Sequence, residues 1–199
     1  MQSRNFRLQR VGDINWLEKN YKFQKISFSI DELIILNASR DNKSIIQFSN
    51  TVSQLKHNVF IPVAAGGGIR TVEDAEKLFN NGADKIVLNS ILINDQSTVM
   101  ELINQYGSQS IIASIDYKCI NGINTAFVSD GTTKVSLDLL DYIRCVEDLK
   151  VGEIYLNSID KDGTGFGYDF DAINHLKNHI KIPLIIAGGA KWEALARGT

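Results

Sequence analysis

The sequence predicts an α/β protein of parallel strand–helix units in which one larger unit is used twice. Three observations carry that expectation. Short apolar runs alternate with longer stretches of helical periodicity along the chain, at the spacing of βαβ units. The chain also repeats itself. IDELIILNASRD (30–41) resembles VGEIYLNSIDKD (151–162), and IPVAAGGGIRTVEDA (61–75) resembles IPLIIAGGAKWEALA (182–196). In each copy an acid-led strand ending in Leu-Asn precedes an Ile-Pro strand ending in glycines, which reads as half a barrel, twice. Third, the apolar run Ile154–Leu156 stops abruptly at Asn157-Ser158 and opens into a loop with Asp160, Asp162, Gly163 and Thr164. Acidic and glycine residues at the carboxyl end of a buried strand stand where α/β folds place their chemistry. The plain alternative is a solvated Asp-Gly turn.

The elements follow in order. Residues 1–13 are polar, with Phe6 and Leu8 as anchors. Asp13 caps a helix over 14–21. DELIILN (31–37) is a buried strand entered by two acids. Residues 43–57 form a helix with Ile45, Ile46, Phe48, Val52 and Leu55 on its apolar face. A strand over 62–65 runs into Gly66, Gly67 and Gly68. Thr71 opens a capping box, TVED, for a helix that buries Ala75, Leu78 and Phe79. Strand 84–89, helix 94–106 and strand 110–116 come next, then short extensions over 125–129 and 134–136. Helix 137–149 places Leu140, Ile143 and Val146 inward. After the Val151–Asp169 stretch come a helix over 170–178, a strand over 183–187 ending in Gly188-Gly189, and the start of a helix over 191–197.

A chain of 199 residues suits one sizeable core, so a single domain over 1–199 is expected. A net charge of -2 gives no reason to expect nucleic acid or an anionic membrane as partner. Any anionic ligand must therefore be held by local groups. Cys119 and Cys145 lack metal-ligand spacing and read as reduced cytosolic thiols. No apolar run approaches the roughly 20 residues of a membrane-spanning helix. The basic amino end lacks the apolar core of a signal peptide. Pro62 and Pro183 each precede an apolar run, so no Pro-rich linker divides the chain.

Several constellations bear on chemistry. AAGGGIR feeds a capped helix, which suits either an anion site or a tight turn. Asp116, closing its strand, is either a general acid/base or a carboxylate that caps or pairs with Lys118. Glu32, Lys85 and Glu153 each start a strand, and mixed charges on that rim read as a salt-bridge ring closing a barrel bottom. His175 and His179 sit one helical turn apart, but neighbouring Lys177, Asn178 and Lys181 mark a solvated face. Trp16, Trp192 and Tyr21 form no stacking array of the kind nucleic-acid binders use.

Taken together, AAGGGIRTVEDAEKLFNNGADKIVLNS, YGSQSIIASID, GEIYLNSIDKDGTGFGYD and IPLIIAGGA resemble the cyclase subunit of imidazole glycerol phosphate synthase, in order and spacing. A sister isomerase of histidine synthesis shares GGGIR and IDKDGT, whereas Gly167-Tyr168-Asp169 and Gly107-Ser108-Gln109 resemble the cyclase. The resemblance implies a (β/α)₈ TIM barrel of half-barrel repeat type. It implies an ammonia-dependent lyase of the cytoplasm with no cofactor and no metal. A glutaminase partner, joined as a heterodimer, supplies the ammonia. The small-molecule substrate carries a phosphate at each end, and the product is an imidazole ring plus an aminoimidazole carboxamide ribotide. By the same resemblance Asp116 is a catalytic aspartate. Gly68, Asn89 and Ser90 match one phosphate site, and Asp162, Gly163 and Gly189 match part of the other. Glu32, Lys85 and Glu153 match three of four ammonia-gate charges, and Asp84 falls on the glutaminase interface.

The chain also departs from the family. The first strand, with the other catalytic aspartate and the fourth gate residue, has no counterpart, and Gln2 stands where a lysine is expected. The eighth strand and the short helix after it are missing, AKWEALARGT fits poorly, and Asn37 replaces an aspartate. The expectation is thus a barrel truncated at both ends, lacking its first and last strands, with two unpaired edges. Gln2, Asn37 and LNSID also suit a paralogue that forms acetamidino groups on surface-polysaccharide sugars. A third reading is a degenerate, non-catalytic barrel that docks a glutaminase.

Overall fold

The computed structural model describes residues 2–4, 7–9, 13–22, 28–40 and 43–190, with backbone alone at 2–4 and 7–9. Expectations for Phe6, for the side chains of Gln2 and Leu8, for Trp192 and for a helix over 191–197 lie outside the described residues. The elements are β1 (Gln2–Arg4), β2 (Arg7–Gln9), α1 (Ile14–Tyr21), β3 (Leu33–Leu36), α2 (Ile45–Lys56) and β4 (Val63–Gly66). Next come α3 (Val72–Asn80), β5 (Lys85–Leu88), α4 (Ile91–Asn94), α5 (Gln96–Tyr106), β6 (Ile111–Ile120), β7 (Ile123–Val128) and β8 (Thr133–Asp138). The last are α6 (Leu139–Asp148), β9 (Glu153–Ser158), α7 (Phe170–Leu176) and β10 (Leu184–Ala187). The class is α/β, with the parallel strand–helix units of a (β/α)₈ barrel. Two units are distinguished, Val11–Ile112 and Met1–Arg10 with Ala113–Thr199.

In Val11–Ile112, side-chain caps set the helix starts. Asp13 accepts from Trp16 N at 2.9 Å and Thr71 from Asp74 N at 3.3 Å. The TVED box closes one residue early, because the Asp74 carboxylate accepts from Arg70 N at 3.1 Å. The expected helix 94–106 starts later, at Gln96, because Asp95 caps α5 by accepting from Thr98 N at 3.1 Å, and the short α4 precedes it. Strands β5, β4 and β3 pair in parallel in that order. Every residue of β4 is buried, as a parallel strand covered on both faces requires. Strand β3 is not the buried strand expected: Leu33–Ile35 are half-buried and Leu36 is exposed. Its one described strand neighbour is β4, so its other edge lacks that cover.

The helices close the core. On α2, Ile45, Phe48, Val52 and Leu55 point inward, but Ile46 is 62% exposed, because one further residue rotates it off the apolar stripe. On α3, Ala75 and Leu78 are buried, whereas Phe79 is half-buried and stacks on Tyr106 with centroids 4.2 Å apart. Each fully buried Leu or Ile contributes about 2 kcal/mol by leaving water.

In the other unit β1 pairs antiparallel with β2, and the remaining strands run β10-β9-β6, with β7 on β6 and β8 on β7. β10 and β9 are parallel, whereas the β6–β7–β8 pairings are antiparallel. The extensions after Asp116 are therefore full strands. Helix α6 starts two residues later than expected, because Asp138 caps it, and buries Leu139, Tyr142, Ile143 and Val146, while Leu140 is half-buried. Among the described residues six strands, β3, β4, β5, β6, β9 and β10, belong to the strand–helix alternation.

The internal repeat holds bond for bond within each unit. Leu33 N donates to Pro62 O at 3.0 Å, and Ile154 N to Pro183 O at 2.9 Å. Leu36 pairs with Gly66, and Asn157 with Ala187. Register therefore equates Asn157 with Leu36, and Ser158 with Asn37. The Leu-Asn pairs that look alike in sequence are offset by one residue, so the two asparagines are not equivalents.

Candidate functional site

Alternation along β9 sorts its side chains. Ile154, Leu156 and Ser158 are buried on one face, and Glu153, Tyr155 and Asn157 are half-buried on the other. From that second face Asn157 Nδ2 donates to Asp116 Oδ1 at 2.8 Å. Asp116 is half-buried and lies within β6 rather than at its end, opposite Phe127 of β7. The hairpin extends the strand past the point where the sequence turns polar. The expected alternative partner, Lys118, is not what orients this carboxylate; an amide donor is. Such a donor favours the ionised form. Tyr155 shares that face, and its hydroxyl is pushed up to about 12 by burial and by the negative charges of Asp116 and Asp162. It stays protonated and able to donate at neutral pH.

The residue after Asp116 points the other way. Tyr117 is buried, and its hydroxyl donates to Asp169 Oδ2 at 3.2 Å. Burial raises its pKa, with the nearby Asp169 adding to the effect. Asp169 also caps α7 by accepting from Ala172 N at 3.2 Å.

The loop after β9 is tied down on both sides. Ile159 N donates to Tyr117 O at 2.9 Å, and Asp160 accepts from Cys119 N at 2.8 Å. Asp162 N donates to Ser158 O at 2.9 Å, and Gly163 adopts φ +69°. Gly167 N donates to Gly189 O at 2.7 Å. A Cβ on Gly189 would stand 2.2 Å from Gly167 O, so only glycine permits that approach. The structure thus brings the loop that carries Asp162 and Gly163 against the Gly188-Gly189 turn.

Val11–Ile112 carries the matching turn. Gly67 and Gly68 have φ +102° and +89°, and a Cβ on Gly67 would meet Asn37 O at 2.5 Å. Gly66 pairs with Val87 of β5, which sets the glycine turn beside Asn89-Ser90 at the end of the neighbouring strand. Ser90 Oγ donates to Asn89 Oδ1 at 3.3 Å. Gly68, Asn89 and Ser90 therefore share the carboxyl edge of this sheet.

The opposite edge carries the charges. Lys85 Nζ lies 3.1 Å from Glu32 Oε2, with both side chains about one-fifth exposed (21% and 20%). Glu32 Oε1 is buried without a hydrogen-bond partner among the described residues. Glu153 opens β9 in the other unit and is half-buried. Asp84 bonds Lys56 Nζ at 2.6 Å and accepts from Val63 N at 2.8 Å. Burial opposes its ionisation, but those two donors outweigh it and hold the carboxyl below its ordinary value. His175 and His179 are both exposed, with ring centroids 6.1 Å apart. A cavity of about 620 Å³ between α1 and α2, edged by Glu18, His57 and Asn58, contains none of the expected site residues.

Comparison with known proteins bears on this arrangement. The family model described as histidine biosynthesis protein matches residues 8–194. A provisionally named imidazole glycerol phosphate synthase subunit hisF2 of Parasynechococcus marenigrum is 43% identical over 94% of this chain and 70% of its own length. The imidazole glycerol phosphate synthase subunit HisF of Pyrobaculum aerophilum is 36% identical over 96% of this chain and 76% of its own. That of Alkaliphilus metalliredigens is 35% identical over 92% and 71%.

Proposed function

The chain belongs to the histidine biosynthesis protein family, and on that premise we propose that it acts as a cyclase-type subunit of imidazole glycerol phosphate synthase. The relatives' names favour this over the acetamidino-forming and docking-only alternatives. Its reaction closes an imidazole ring on a bisphosphorylated ribotide with ammonia from a glutaminase partner, and releases an aminoimidazole carboxamide ribotide. The observation that carries the proposal is the 2.8 Å bond from Asn157 to Asp116 at the carboxyl end of β9. It orients one carboxylate from the face of β9 that Asn157 shares with Tyr155. Asp116 takes and returns protons as ammonia adds and the ring closes.

Gly68, Asn89 and Ser90 bind one phosphate, and Asp162, Gly163 and Gly189 help bind the other. Backbone N–H groups in positive-φ turns approach phosphate oxygens closely because no Cβ intervenes. Glu32, Lys85 and Glu153 act as gate charges for ammonia. The Glu32–Lys85 pair supports that role, since it sets opposite charges together at the strand starts with about one-fifth of each side chain exposed. Asp84 lies on the glutaminase-facing edge with half of its side chain still exposed. Phe60, 81% exposed just before β4, adds an aromatic anchor to that edge. No described helix is long and apolar enough to cross a membrane, and the cytoplasm is the setting we propose for this reaction.

The test is ammonia-dependent loss of the bisphosphate substrate's absorbance. Turnover with ammonium salt, and with glutamine once the glutaminase is added, is the expected result. No turnover together with intact glutaminase activation would leave docking alone.

A further inference from the structure

We infer that Lys43 and Lys161 supply the positive charge of the two glycine turns, each delivering an ammonium to one phosphate of the substrate. The inference rests on the phosphate sites proposed above and names the groups that neutralise their ligands.

The observation is a shared contact at the second glycine of each turn. A Cβ on Gly68 would stand 2.9 Å from Lys43 Cβ and 3.5 Å from its Cδ. A Cβ on Gly189 would stand 3.0 Å from Lys161 Cβ. Within each unit the Cβ of a lysine therefore lies against the face that glycine leaves bare, and for Lys43 the Cδ lies along it as well. The two lysines are not repeat equivalents. Register equates Ser158 with Asn37, so Lys161 corresponds to Arg40, and Lys43 lies three residues further along. The same placement reached from two different sequence positions points to a requirement of the turn rather than to inheritance of one residue.

The charge balance gives the requirement its reason. The chain's net charge of -2 supplies no attractive field for a dianion. Near the second turn, Asp160 and Asp162 make the loop locally negative. A phosphate there needs a cation beside the backbone N–H groups, and a flexible ammonium supplies it as a point charge. Both lysines are half-buried, so their charges act through partly excluded water.

The experiment measures ammonia-dependent turnover and competitive inhibition by inorganic phosphate. It compares the full chain with Lys43→Met, Lys161→Met and their Arg counterparts, and with Gly68→Ala and Ser90→Ala. Each Met variant should raise KM and the phosphate inhibition constant about tenfold, with kcat within about twofold. It should also flatten the salt dependence of KM, and Arg should restore most of the loss. If Gly68→Ala and Ser90→Ala weaken phosphate inhibition while both Met variants leave it unchanged, the lysine assignment is overturned and the phosphate sites stand. If none of these variants changes it, the phosphate sites fall as well.

Discussion

Replacing Gly188 by alanine tests the glycine turns as built objects. Gly188 has φ +87°, and a Cβ there would stand 2.5 Å from Ser158 O, a backbone atom at the end of β9. Ordinary contact begins at 3.4 Å, so strand and turn must part by about 0.9 Å. An L-residue in the left-handed region costs about 1–2 kcal/mol, and overpacking adds about 1–3 kcal/mol. The stiffer unfolded chain returns about 0.4–1 kcal/mol. The net loss is about 2–4 kcal/mol, which for a chain of this size lowers Tm by about 5–15 °C. Gly165→Ala isolates the backbone part, because Gly165 has φ +68° and nothing within 4 Å of its absent Cβ. Its Tm should fall by only about 1–4 °C. Gly67→Ala should match Gly188→Ala, since its Cβ would meet Asn37 O at 2.5 Å with φ +102°. Thermal unfolding followed by circular dichroism reads all three. Equal shifts for Gly165→Ala and Gly188→Ala would refute the close-approach argument, and a neutral Gly67→Ala would refute the equivalence of the two turns.

Two further predictions address the site and the fold. Asn157→Leu places the residue found at the repeat-equivalent position, Leu36, beside Asp116 and removes its 2.8 Å donor. A lost hydrogen bond to a charged group of about 1.5–3 kcal/mol should lower kcat about 10- to 100-fold. The acidic limb of the kcat–pH profile should move to higher pH, and an unmoved limb would mean that the amide does not stabilise the carboxylate. Asp95 is held down to about 2 by the hydroxyls of Ser97 and Thr98, with the Thr98 N–H helping, against an ordinary 3.8. Its folded pKa is depressed, so its contribution is complete above 3.8 and is lost as pH falls toward 2. The gap in urea midpoint between the parent and Asp95→Asn should close across that window; a constant gap would show that the charge contributes nothing.

The strand–helix order was legible because periodicity and caps agree: Asp13 and Thr71 each accept from the first turn of the helix they precede. What escaped the sequence lies in pairing across distance. Asp116 looks like a strand end, since polarity rises after it, yet β7 supplies antiparallel partners that carry β6 on to Ile120. The short α4 was not legible, because four residues are too few for helical periodicity to show. The glycine turns were visible as glycines. The lysines against them were not, because Lys43 lies 25 residues before Gly68 and Lys161 lies 28 before Gly189. Strand alternation puts Asn157 on the same face of β9 as Tyr155, but its bond to Asp116 crosses 41 residues and left no local signal.

The central claim is that the Asp116 carboxylate moves protons during ring closure while other groups hold the substrate. Asp116→Asn keeps shape and hydrogen-bonding capacity but removes the base. Single-turnover measurement of ammonia-dependent cyclisation, paired with binding of the bisphosphate substrate, tests it most directly. The account predicts a loss of at least about a thousandfold in the chemical step, with substrate affinity within about threefold of the parent. A variant that cyclises within about tenfold of the parent would contradict it.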